Sequence, residues 1–303
     1  MKRTAQEAGI SSEGAAASET APQKRVNMPK KNNHRMHAHI NPFTPLTMPT
    51  PQNTRFADWS LHYPSYYGST DNNKDRIVVN TKHYKIAYET EASQQDGPAP
   101  TVLDIGCGYG GLMFELTKIF KDELILGLEI RDKVANFAGE KINSLRINSG
   151  YKDCLNTAVL RTNAMKSLHN YFKKDSLEKM FFCFADPHFK KSNHRKRIVN
   201  TALLTDYCYM LRPGGKVYVV TDVEDLHNWQ VSKLEEHPMF ERVPEEEDQA
   251  DPCVKAMREG TDEAQKVIRR EGNIWHAVFK KRDVTDQAQM SAIEAEYMEK
   301  FFD

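Results

Sequence analysis

No stretch of the 303-residue chain approaches the ~20 consecutive apolar residues that a membrane-spanning helix needs. The apolar runs in VLDIG, LILGLEI and MFFCFA are only strand-sized. A hydrophobic signal segment is lacking at the N-terminus, so secretion is not expected. Cysteine is scarce and odd in number: Cys107, Cys154, Cys183, Cys208 and Cys253 include no CxxC pair, which speaks against a disulfide framework and a zinc site alike. Net charge is missing too. Lys and Arg total 42 and Asp and Glu total 42, so any contact with nucleic acid must come from a local patch. Secreted, membrane-spanning and zinc-finger readings are set aside, and no metal is expected. What is there, 39% apolar and 28% charged residues, fits one large or two small globular domains with some polar extra length.

Residues 1–55 supply that extra length. They are rich in Ala, Ser, Pro, Asn and Gln and poor in aliphatic residues, and are expected to be unfolded. Eight basic residues face three acids there. Such a tail serves as an RNA-binding arm, as a nuclear address, or as a solvated extension with no dedicated role. The aromatic segment DWSLHYPSYYG follows, expected to wrap the domain near the active-site mouth with most rings in the core. From about residue 75 the pattern becomes α/β. PTVLDIG, LILGLEI, TAVLRTN, KMFFCFAD and KVYVVTD read as strands. GLMFELTKIF, RDKVANFAGEKINSLRIN, IVNTALLTDYCYML and EDLHNWQVSKLEEH read as helices between them. MFERV and NIWHAVFKKR are further strands, and MSAIEAEYMEKFF is a closing amphipathic helix. Strands alternating with helices predict a largely parallel, doubly wound sheet.

The first strand runs into Asp104-Ile105-Gly106-Cys107-Gly108-Tyr109-Gly110-Gly111. Glycine at a strand-to-helix turn permits positive φ and close approach of a ligand, and a helix N-terminus offers free N–H groups. Gly106, Gly108 and Gly111 satisfy GxGxxG, and Glu129 follows at the end of the second strand, as a dinucleotide fold requires. Asp104 tips the choice. A pyrophosphate rarely tolerates a neighbouring carboxylate, whereas S-adenosylmethionine has no phosphate and carries an ammonium and a sulfonium. The strand–DxGxGxG–helix and strand–Glu pattern resembles a class I methyltransferase, with Glu129 on the ribose hydroxyls.

A sharper signal lies at the end of the fourth strand: Phe184-Ala185-Asp186-Pro187-His188-Phe189-Lys190-Lys191, continuing to Arg197. Open α/β sheets bind ligands at that end, and Pro187 locks the backbone behind Asp186. Residues 188–197 hold five Lys or Arg and two His with no acid. A charge run is ordinarily a solvated face, but an uncompensated one beside a methyl-donor site suits an RNA backbone.

With VLDIGCGYGG, GLEIR, RTNA, FADPHFKKSNHRKR, LRPGGKVYVVTD and GTDEAQKV all in place, the chain closely resembles the tRNA (guanine-N7)-methyltransferases over residues 55–283. The long basic extension looks like the eukaryotic branch. The resemblance implies a Rossmann-like, seven-stranded, mostly parallel sheet, a domain over 56–283 and a separate helix over 284–303. It also implies a nuclear enzyme, present in the cytoplasm as well, working with a WD40-repeat partner on the variable loop of tRNA. Carried over by motif, Asp104, Gly106 and Gly108 line the donor site. Glu129, Ile130 and Arg131 hold the ribose and adenine side, with Asn163, Ala164 and Cys183 beside them. Thr261, Asp262 and Glu263 form a closing loop, and Asp186 is the active-site acid. His188, Lys190, Lys191, Arg195 and Arg197 would hold RNA phosphates. Plain alternatives stand for three: Asn163 as a helix cap, Cys183 as a core residue and Thr261 as a helix start. A cap guanine-N7 enzyme, a non-catalytic donor-binding scaffold and an NAD oxidoreductase are the competing functions.

The chemistry so implied is simple. Guanine N7 has a lone pair and no proton, so its methylation is an in-line displacement that needs no base. Positioning and charge stabilisation are what remain for the protein.

Overall fold

The computed structural model describes residues 25–37, 40–45, 48–68, 74–91 and 97–302. Its centre is a seven-stranded sheet built from β1 (Val102–Ile105), β2 (Ile125–Glu129), β3 (Thr157–Arg161), β4 (Leu177–Cys183), β5 (Leu211–Thr221), β6 (Phe240–Arg242) and β7 (Trp275–Lys281). The spatial order is β3-β2-β1-β4-β5-β7-β6. The first five strands in that order are parallel, and β7 runs antiparallel between β5 and β6. Every residue of β1 and β2 is buried, as expected of central parallel strands covered on both faces. That double burial is why they read as continuous apolar runs.

The helices are α1 (Gly111–Ile119), α2 (Asp132–Asn148), α3 (Ala164–Tyr171), α4 (Thr201–Met210), α5 (Glu224–Glu235), α6 (Glu245–Ala250), α7 (Pro252–Glu259), α8 (Asp262–Arg269) and α9 (Gln287–Phe302). Two cores form, one on each face. Leu112, Met113 and Leu116 of α1 meet Val254 and Met257 of α7 on one side. Leu168, Leu204 and Leu234 from α3, α4 and α5 fill the other. The aromatic segment joins the second core. Tyr63 is fully buried with its hydroxyl donating to the Ile125 carbonyl at 2.9 Å, and Trp59 stacks on Phe172 at 5.7 Å. Tyr63 is a core residue, Trp59, Tyr66 and Tyr67 are half-buried against that core, and none of these rings lines the cleft described below.

Local differences from the sequence reading have physical causes. β5 begins at Leu211, not after the Arg-Pro-Gly-Gly turn, and the β4–β5 register slips at that point. Glycine is needed at position 215, where a Cβ would lie 2.9 Å from the Arg212 carbonyl and 3.0 Å from that of Glu178. The fourth helix starts at Thr201 because Asn200 caps it, accepting from the Leu203 N–H at 3.1 Å. The basic run before it is a short 3-10 helix, Lys191–Lys196. α3, α6, α7 and α8 carry no counterpart in the strand-and-helix pattern read above; for α8 the residues expected as a closing loop, Asp262 and Glu263, form the first turn of a helix.

The N-terminal stretch expected to be unfolded is described in part, and those parts lie on the domain. Val26 exchanges two hydrogen bonds with the Asn148 side chain. Asn163 donates to the Pro42 carbonyl at 2.7 Å, and Asn170 to that of Pro51 at 2.6 Å. Residues 1–24 lie outside the described residues. At the other end, α9 is tied back by Arg282 pairing with Glu296. None of the described helices is long and apolar enough to cross a membrane.

Candidate active site

β2 and β4 lie on opposite sides of β1, so connections leave the sheet in opposite directions there and open a crevice at the carboxyl ends of the strands. The first wall is the glycine loop. Two consecutive N–H groups, of Gly106 and Cys107, donate to the Leu128 carbonyl at 2.8 and 3.0 Å and pin the loop to the end of β2. Gly106 has φ of 82°, and a Cβ there would meet no protein atom within 4 Å. Because Gly106 lines the crevice, that space belongs to a ligand. Gly111 answers a different demand: a Cβ would come within 2.9 Å of the Gly260 carbonyl and 3.2 Å of the Thr261 Cα. The start of α1 and the start of α8 touch through that glycine.

Asp104 forms the floor. It is 1% exposed, and no donor reaches its carboxylate among the described residues. Burial, reinforced by the nearby Glu129 carboxylate, pushes it up to about 7. Glu129, 3% exposed at the end of β2, is held by its neighbour. Arg131 forks onto it through Nη2 at 2.8 Å and Nε at 3.1 Å, and the Arg131 N–H adds a third bond at 2.8 Å. Burial alone would weaken the Arg131 cation, but its bonds to that carboxylate outweigh this and hold it above its ordinary range.

Two residues beyond β3 stands Asn163, whose side chain caps α3 by accepting from the Met165 N–H at 3.1 Å. The plain alternative, a helix cap, is therefore present, and the residue lines the cleft as well. β4 ends in an unusual turn. Phe184 and His188 both adopt left-handed backbone, with φ of 50° and 45°, a conformation that costs non-glycine residues roughly 1–2 kcal/mol each. Between them stand Asp186 and Pro187, with Asp186 accepting from the His188 N–H at 3.3 Å. Strain of that kind persists only where the surroundings over-determine it. Here the Phe184 N–H is tied to the Val220 carbonyl at 2.8 Å, and Arg197 Nε donates to the Pro187 carbonyl at 2.9 Å.

The last wall is the start of α8. Thr261 caps it, its hydroxyl accepting from the Ala264 N–H at 2.9 Å, so the helix-start alternative also holds. Asp262 pairs with Lys31 of the N-terminal stretch at 2.6 Å, and Glu263 with Lys266 at 3.2 Å. The walls enclose about 570 Å³, within the roughly 300–1,000 Å³ usual for small-molecule sites. All twelve expected cofactor residues, Asp104 to Glu263, line it, as do Asp186 and His188. So do residues the sequence reading missed. Asp222 and Val223 follow β5, where the rule that named Asp186 could have found them. Ile40 and Pro42 belong to the stretch taken as unfolded, and Lys196, Lys266 and Arg270 carried no signal beyond their charge.

A family described as "Putative methyltransferase" matches residues 98–277. A curated tRNA (guanine-N(7)-)-methyltransferase from Eremothecium gossypii is 44% identical over 257 residues, 84% of this chain and 83% of the relative. One from Debaryomyces hansenii is 43% identical over 86% of this chain and 83% of its own length. One from Oryza sativa subsp. indica is 43% identical over 84% of this chain and 92% of its own. The chain belongs to the tRNA (guanine-N(7)-)-methyltransferase family. Its sheet is accordingly the Rossmann-like one of class I methyltransferases.

The basic run expected to hold RNA phosphates divides by burial, and one of its members is enclosed. Lys190, Lys191 and Arg195 are exposed beside the cleft mouth. His188 is half-buried in its wall, 3.8 Å from Asp186. Arg197 is only 4% exposed. Its guanidinium lies 4.8 Å over the Trp229 ring while Nε holds the Pro187 carbonyl, so it braces the Asp186 turn from beneath instead of being open to a phosphate as expected. Among the described residues, no group of three or more His, Cys, Asp or Glu side chains is placed to hold a metal ion.

Proposed function

We propose that this cleft methylates N7 of a guanosine in tRNA. The cofactor is S-adenosylmethionine, which when bound supplies an electrophilic methyl group on a sulfonium. The lining suits it. Asp104 is a buried carboxylate without a donor, complementary to the ammonium end of such a molecule and hostile to a pyrophosphate. The space at Gly106 admits ligand where any other side chain would intrude. Glu129, already fixed by Arg131, presents acceptor oxygens toward sugar hydroxyls without needing to be ordered on binding.

The observation that carries the reading is that Asp186, on its strained and braced turn, opens into the same cleft as the glycine loop. An ionised carboxylate accepts from the N1–H and N2–H edge of guanine, which adenine does not offer, and it offsets the positive charge the purine gains as N7 is alkylated. No side chain needs to take a proton. A rigid turn holds the acid in place before the reaction, so no reorganisation opposes the charge as it develops.

Finer assignments follow from the family resemblance. The guanosine belongs to the variable loop. Lys190, Lys191 and Arg195 hold its flanking phosphates. A WD40-repeat subunit joins the chain in a nuclear heterodimer, and residues 56–283 form the catalytic domain with 284–303 as an appended helix. The test is incubation of the protein with labelled S-adenosylmethionine and bulk tRNA, followed by nucleoside analysis. Label is expected in 7-methylguanosine. Label in another nucleoside, or in none, would sink the proposal.

A further inference from the structure

We propose that Phe189 is a stacking platform for an unstacked nucleobase next to the guanosine that enters the cleft. The proposal rests on the reading that folded RNA is the substrate. Among the described residues Phe189 is the most exposed large apolar side chain, at 72%, well above Met298, Tyr209 and Ile268. A scattered surface phenylalanine needs no explanation, but this one is carried on a tightly held piece of backbone. It follows Pro187 and His188 directly, the second of these in left-handed backbone. The turn is tied from within by the His188 N–H on Asp186 and from beneath by Arg197 on the Pro187 carbonyl. The turn thus fixes where the Phe189 backbone stands relative to Asp186. A phenylalanine has only two side-chain torsions to immobilise, so little freedom is lost when something stacks on its ring.

Its surroundings decide what that something is. Lys190, Lys191 and Arg195 are exposed beside it, and no acid occurs in the sequence from Pro187 to Thr205. A second ring, Phe43, lies 5.6 Å beneath the Arg195 guanidinium and is itself partly exposed. Aromatic faces interleaved with uncompensated cations are the composition of a platform for unpaired RNA, where phosphates meet the cations and bases meet the rings. An apolar protein surface docking here would strip water from three cations and return nothing. The N7 edge of a stacked guanine is out of reach, so the nucleotide must be drawn out of the fold, and its neighbour then loses a stacking partner. A ring one residue beyond the cleft wall replaces it.

The test uses the full chain, with any subunit that purifies with it, and a tRNA that wild type methylates. Phe189→Ala is expected to weaken tRNA binding about five- to hundredfold, the range for loss of one base–aromatic stack, while leaving S-adenosylmethionine affinity unchanged. Phe189→Trp and Phe189→Tyr should restore it. Because the contact is neutral, the salt slope of binding should be unchanged in Phe189→Ala and reduced in Lys191→Ala. Binding by Phe189→Ala within twofold of wild type would overturn the proposal. So would a loss that no aromatic restores, a parallel loss of cofactor binding, or loss of a partner subunit with tRNA affinity intact. A wild-type protein that fails to methylate any tRNA would instead remove the functional reading beneath it.

Discussion

Asp186 and Asp104 are two carboxylates of one cleft, and the proposed function gives them different tasks. Asp186 needs a fixed direction, and the Phe184–His188 turn supplies it. Asp186→Asn keeps the shape but turns one acceptor into an N–H that opposes the guanine N1–H. Turnover should fall about a hundredfold or more, the scale for loss of one preorganised electrostatic contact, with S-adenosylmethionine affinity held within twofold in a calorimetric titration. Full activity would refute the role. Asp104 has instead a poised charge. Burial and then Glu129 raise it from 3.8 to about 7, so in the free protein it is neutral below that pH. The folded chain therefore holds this proton more tightly than the unfolded one. Its stability contribution is fully present below about pH 4 and is lost as pH rises through 7. Cofactor binding runs the other way, since an ammonium favours the ionised form. Affinity should climb by up to about tenfold per pH unit below 7 and level off above it. Asp104→Asn should bind more weakly with a flat profile. A flat wild-type profile between pH 5.5 and 8 would contradict the pairing.

Among the elements, α8 owes its place to two residues far apart in sequence. Thr261 caps it, and Gly111 lets it touch α1. Thr261→Ala removes the cap, at a cost of about 1 kcal/mol, and should fray the wall that carries Asp262 and Glu263. The cofactor KM should rise several-fold while the thermal midpoint barely moves, and Thr261→Ser should recover both. Central strands and long helices were legible in the sequence because their burial writes itself as apolar runs or a helical period. The two residues flanking Asp186 in left-handed backbone were not: Phe184 is not a type that advertises positive φ, and the modest enrichment of histidine there is too weak to single out His188. α3 is hard to see for another reason: it has only eight residues, and the sequence offers nothing for it beyond the possible cap at Asn163. That side chain both caps the helix and lines the cleft. α6 is itself an acidic run that looks like solvent-facing loop, and only the Asp251 cap before Pro252 marks the start of α7. The placement of Pro42 at the cleft had no signature at all, because Asn163 grips its backbone carbonyl, which every residue possesses.

Taken whole, the molecule has no net charge, so its hold on a polyanion must come from where charges stand. Sequence alone makes Lys190, Lys191, Arg195 and Arg197 equivalent members of one run. In the fold they divide. The first three face solvent, while Arg197 is enclosed between the Pro187 carbonyl and Trp229. Burial and the distant Asp225 carboxylate act on its cation in opposite senses, burial prevailing to lower it. The two kinds of arginine should separate in a salt titration of tRNA binding. Each phosphate contact removed should cut the slope of log K against log salt by about 0.7–0.9. Replacing Lys190, Lys191 and Arg195 together by Ala should thus flatten it by roughly two to three, with folding and cofactor affinity unchanged. Arg197→Ala should leave the slope alone and lower turnover with the melting temperature, because it releases the turn beneath Asp186. If Arg197→Ala flattened the slope as Lys191→Ala does, the buried guanidinium would have to reach RNA, and the bracing role would fail.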